Sequence, residues 1–112
     1  MQIRKTYREV NPELLYNELK DFALNQGVEM ADSKLETYSM SSDSSSFVTR
    51  GTLLFKTTNN GKECLRAHLV GSAKGETKLM LDIDEQLVTP EKMTALKNDL
   101  DFVFSSYEVK AD

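Results

Sequence analysis

Cysteine is nearly missing from this chain of 112 residues: Cys64 stands alone. A single thiol closes no internal disulfide, so a reducing, cytoplasmic setting is expected and the fold must rest on its apolar core. Histidine is represented by His68 alone. Together these two residues fall short of the three or four N or S donors that a zinc site takes. Tryptophan is absent, proline occurs twice and glycine five times, which excludes collagenous and proline-rich low-complexity chains. No window approaches the roughly 18 continuous apolar residues of a membrane helix. The opening residues Met1–Arg8 carry charges with no apolar stretch behind them, so no secretory signal is read there.

What remains is ordinary for a soluble domain: 39% hydrophobic and 29% charged residues. The length fits one domain, residues 1–112, with no linker, repeat or second unit. The net charge of −4 argues against a general nucleic-acid binder, whose affinity comes largely from neutralising phosphates. The charge is unevenly spread. Between Phe47 and Met80 the bases Arg50, Lys56, Lys62, Arg66, Lys74 and Lys78 face only Glu63 and Glu76. From Leu81 onward, eight acids outnumber Lys92, Lys97 and Lys110.

Local patterns give the elements in order. Residues 2–10 read as a strand, with Ile3 and Tyr7 on one side and Arg4, Thr6 and Arg8 on the other. Asn11-Pro12-Glu13 starts a helix: a side-chain acceptor, a preset φ and a carboxylate at the positive end of the dipole. Leu15, Leu19, Phe22 and Ala23 form its apolar stripe, and Gly27 stops it, giving a helix over 12–26. A strand is expected over Leu35–Met40. The serine-rich run 41–46 reads as a polar turn, alternatively a modifiable or partner-ordered loop. Phe47–Thr57, Glu63–Val70 and Glu76–Asp84 are strands of an antiparallel meander. The first pair is joined at Asn60-Gly61, a type I′ turn signal. Thr89-Pro90-Glu91 opens a second helix whose stripe of Met93, Leu96, Leu100, Val103 and Tyr107 carries it to about Tyr107. Residues 109–112 are expected to fray.

The order β-α-β-β-β-β-α, with one apolar phase per strand, predicts an α+β fold: a five-stranded, largely antiparallel sheet with both helices on one face. A long C-terminal helix after such a meander resembles the helix-grip topology of Bet v 1 and START-like proteins. The same element string is similar to one half of the TATA-binding-protein fold. The likeness is one of element order, covers most of the chain and carries no sequence motif. It implies a curved sheet that either clasps a ligand against the last helix or offers its far face to a partner.

Three binding modes follow. If Leu53, Phe55, Leu65, Leu69, Leu79, Leu81 and Ile83 face the helices, period-2 alternation turns Arg50, Arg66, His68 and Lys78 outward, with Arg4 and Arg8 extending the patch. Such a face suits an acidic protein or a small anionic ligand. The plainer reading is a solvated face of a one-sided sheet. In the second mode, Tyr16, Met93, Phe102, Phe104 and Tyr107 line a pocket for an apolar small molecule between sheet and last helix; in the plainer reading they are core. In the third, Val48, Leu54, Val70 and Met80 join two copies through the sheet, so monomer and homodimer both stay open.

Catalysis finds little footing. Cys64 and His68 share a strand face at i and i+4, about 13 Å apart at strand rise, beyond the reach of a nucleophile–base pair. Asp82, Asp84 and Glu85 lack the spacing of a calcium loop and suit the start of the helix that follows. A non-enzymatic binding module without cofactor or metal is expected.

Overall fold

The computed structural model describes residues 1–40, 43–72 and 75–109. Its elements are β1 (Gln2–Arg8), α1 (Pro12–Asn25), β2 (Glu29–Met40), β3 (Asp43–Lys56), β4 (Glu63–Ser72), β5 (Glu76–Ile83) and α2 (Pro90–Phe104), with a 3-10 turn over Ser105–Tyr107. The five strands form one sheet in the order β1-β5-β4-β3-β2, antiparallel at every pairing. The expected α+β fold with two helices is the one observed.

Both helices begin where the local chemistry places them. The Asn11 side chain accepts from the Glu13 N–H at 2.8 Å, and Thr89 Oγ1 accepts from the Lys92 N–H at 3.3 Å. Each cap satisfies a backbone donor that the helix itself leaves free. The inward phases of the strands meet the stripes of both helices in one core. Leu15, Leu19, Leu53, Phe55, Leu69, Leu81, Leu100 and Phe104 are nearly or fully buried there. Each such side chain contributes about 1.5–3 kcal/mol by leaving water.

Several boundaries differ from the sequence reading; α2, expected to reach about Tyr107, ends at Phe104 and tightens into the 3-10 turn. The first strand stops at Arg8, because Glu9 turns into the left-handed region (φ 62°) and donates its N–H to the Gly75 carbonyl at 2.8 Å. β2 starts at Glu29, six residues early. Met30 pairs with Phe55 and Asp32 with Leu54, so backbone pairing to β3 extends the strand through residues with no apolar alternation. Asp43–Ser46, expected in a turn, are the first residues of β3; Ser41 and Ser42 lie outside the described residues. Val109, expected to fray, lies along β1 together with Glu108. Glu108 bridges Tyr7, and Val109 N–H donates to the Thr6 carbonyl at 2.7 Å. Lys5 Nζ secures that segment, 3.1 Å from Glu108 Oε1 and 3.7 Å from Asp101 Oδ1.

The turn between β3 and β4 is longer than type I′. Thr57 N–H donates to the Lys62 carbonyl and Gly61 N–H to the Thr57 carbonyl. Gly61 alone takes positive φ (67°), whereas a type I′ turn needs it at both central residues. Asn60 instead uses its side-chain oxygen to accept from Lys62 N–H at 3.3 Å.

Candidate functional site

The face of the sheet turned away from the helices is built from one phase of every strand, and the register fixes who stands beside whom. One row runs Arg4–Met80–His68–Thr52–Lys34. The next runs Thr6–Lys78–Val70–Arg50–Glu36. On the other side of the first lies Gln2–Asp82–Arg66–Leu54–Asp32. Arg4, Arg50, Arg66 and Lys78 are exposed and His68 is half-buried.

The six expected basic residues therefore share a face, but they do not make one uniform patch. Arg66 is committed to Glu63, with Nη2 and Nε each 2.8 Å from Glu63 Oε1. It lies in a shallow depression of about 360 Å³ whose other walls include Asp82 and Asp84. Arg50 stands opposite Glu36, and Arg8 opposite Glu76. These acids were legible in part: alternation from Lys78 and Met80 already puts Asp82 on the outer phase. Glu36 was not, because β2's neighbour and register are decided by the tertiary fold.

What the fold does gather is smaller. Arg4, His68 and Lys78 surround a second depression of about 380 Å³, floored by Val70 and Met80 and flanked by Lys5 and Thr6. Neither Arg4 nor Lys78 makes an ion pair with a described residue. Arg4 Nε reaches only the neutral Gln2 side chain, at 3.3 Å. The result is two uncommitted cations and an imidazole at the rim of an apolar floor.

The residues expected to line an interior pocket separate. Tyr16 and Phe104 are core, and Met93 packs against it. Phe102, by contrast, is 92% exposed and Tyr107 44% exposed, so neither faces the interior. The helical stripe passes through Leu100 and Phe104; Phe102, two residues from each, falls on the opposite side of α2. Between α1, α2 and the sheet a crevice bounded by Ala23, Val28, Leu65, Ile83 and Met93 has about 10 Å³ of free volume, room for one water at most.

Cys64 also moves from its expected place. Strict alternation would set it beside Arg66 on the outer face. An irregularity where Phe55 pairs with Leu65 but Lys56 with Glu63 leaves Cys64 as the extra residue, and it tucks into the core. Its thiol donates weakly to the Phe55 carbonyl at 3.7 Å, and burial pushes the thiol up, so it stays protonated at neutral pH. Among the described residues no three His, Cys, Asp or Glu side chains converge as a metal site would require, and no helix is long and apolar enough to cross a membrane.

Comparison with known proteins leaves the site to speak for itself. The sequence matches no protein-family model and no curated protein.

Proposed function

We propose that the chain is a binding module whose helix-free sheet face takes an anionic guest with an apolar body, such as an acidic peptide segment, in the depression rimmed by Arg4, His68 and Lys78. One observation carries this reading: Arg4 and Lys78 stand beside His68 at the rim of an apolar floor and, among the described residues, are not paired with acids as Arg66 is. Charge-assisted hydrogen bonds from an uncommitted guanidinium and ammonium favour a carboxylate or phosphate. Val70 and Met80 offer contact area for whatever carries the charge. The helix-grip and TATA-binding-protein-like likeness of element order is consistent with this use, since in the latter arrangement the far face of the sheet meets the partner. The former's interior guest is the weaker proposal, because the crevice between sheet and α2 holds little free volume.

The test is an amide chemical-shift titration at low ionic strength with a glutamate-rich peptide bearing leucine or phenylalanine. Shifts are expected at Arg4, Thr6, His68, Val70 and Lys78, and they should fade as salt screens the charges. The Arg4→Ser/Lys78→Ser variant should bind roughly tenfold or more weakly. If no amide of this face responds, or the double variant binds as the parent does, the reading is lost.

A further inference from the structure

We propose that the open edge of β2 is a self-pairing surface, at which two copies of the chain join antiparallel about Leu35 into one ten-stranded sheet. The sheet has two edges, and they are treated differently. β1 is covered on its outer side by Glu108 and Val109. β2 ends the strand order and its outer edge meets no strand among the described residues. Its middle, Asp32 to Ser39, pairs one-to-one with β3 between two irregularities, so it is regular enough to template another strand.

A twofold axis normal to a sheet pairs each residue before the centre with the residue equally far after it. That makes the sequence of the edge a test of its own registers. Centred on Lys34, the ammonium would face its own copy and Asp32 would face Glu36. Centred on Glu36, two carboxylates would meet. Centred on Leu35, Lys34 faces Glu36 of the second copy twice over, Asp32 faces the Tyr38 phenol, Ser33 faces Thr37, and Leu35 meets itself. Opposite charges directly across a strand pair are favourable and like charges are not. A centre on Ser33 would also set Asp32 against Lys34 but would run through the irregularity between Met30 and Asp32, so Leu35 is the centre that pairs opposite charges within the regular stretch.

The geometry within one chain agrees. Lys34 Nζ already lies 2.6 Å from Glu36 Oε1, and the Tyr38 hydroxyl donates to the same carboxylate. Pairing re-forms the Lys34–Glu36 ion pair across the axis and sets the Asp32 carboxylate against the Tyr38 hydroxyl as a donor. Charged residues on an edge usually block association; here their alternation admits one partner, the same strand reversed.

Native mass spectrometry and analytical ultracentrifugation of the full chain over a concentration series test this. A dimer is expected whose share grows with concentration. Lys34→Glu and Glu36→Lys should each weaken it roughly tenfold, and the two combined should restore it, because the attraction is then merely reversed in sign. Lys34 is largely exposed, so folding should survive, and circular dichroism checks that it does. Leu35→Cys should form a covalent dimer under mild oxidation, Cys64 being buried. A parent chain that stays monomeric throughout, or a dimer indifferent to both single charge reversals, overturns the proposal.

Discussion

Gly71 on β4 passes so close to the start of α1 that a Cβ placed on it would lie 2.6 Å from Cγ of Pro12 and 2.8 Å from its Cβ. The pyrrolidine ring is stiff and cannot swing away as a long side chain would. Two signals that look independent in sequence, a glycine near a strand end and a proline at a helix start, are one packing contact.

Gly71→Ala should therefore destabilise the domain by about 1–3 kcal/mol through overpacking. Urea unfolding reads this directly. If the midpoint is unchanged, the helix start yields more easily than its rigid ring implies.

Phe102 and Phe104 give a sharper contrast on one helix. Phe104 is 2% exposed and its ring packs against Tyr7 with centroids 5.6 Å apart, whereas Phe102 is 92% exposed. Phe104→Ala should cost about 3–5 kcal/mol. Phe102→Ser should change stability by no more than about 0.5 kcal/mol. Parallel thermal melts compare the two, and a large loss at Phe102 would mean that α2 is turned differently from the arrangement described here.

Tyr7 is fully buried, and its hydroxyl has no hydrogen-bond partner among the described residues. Burial, reinforced by Glu108 and Asp101, pushes its ionisation well above the usual tyrosine range. In the unfolded chain the phenol ionises near pH 10. Above that pH the unfolded state binds fewer protons than the folded one, so stability falls as pH rises. Below it the group contributes no slope. Tyr7→Phe removes an unsatisfied polar atom and should be neutral or stabilising by about 1 kcal/mol at pH 7. It should also flatten the decline of stability above pH 10. Denaturant unfolding at pH 7 and at two alkaline values measures both effects; a clear loss of stability at neutral pH would show that the hydroxyl has a partner after all.

Much of the fold was legible because its signals are short in range. Asn11-Pro12-Glu13 and Thr89-Pro90-Glu91 set helix starts through bonds spanning two or three residues. The alternation of Leu65, Ala67 and Leu69 states which side of a strand is buried whatever its neighbours are. Signals failed where burial was weak. The edge-strand segment Ala31–Lys34 is exposed on both sides, so nothing in its side chains announces it and only the backbone pairing to β3 reveals it. The candidate site was half legible for the same reason. Alternation put Arg4, Arg50, Arg66, His68 and Lys78 on one face, but it had no means of telling a committed cation from a free one.

The sequence by itself determined which residues become helix, which phase of each strand turns inward, and that the basic side chains of the meander share the opposite side. Only the tertiary structure decided the strand order and register. These set Glu63 against Arg66 and Glu36 opposite Arg50, left Arg4 and Lys78 without an ion pair among the described residues, brought Glu108 back across 103 residues to Lys5, and tucked Cys64 into the core at an irregular pairing. The physical reason is one of range. Caps, turns and alternation act over a few bonds, while the pairing of charges depends on which distant segments the core brings side by side.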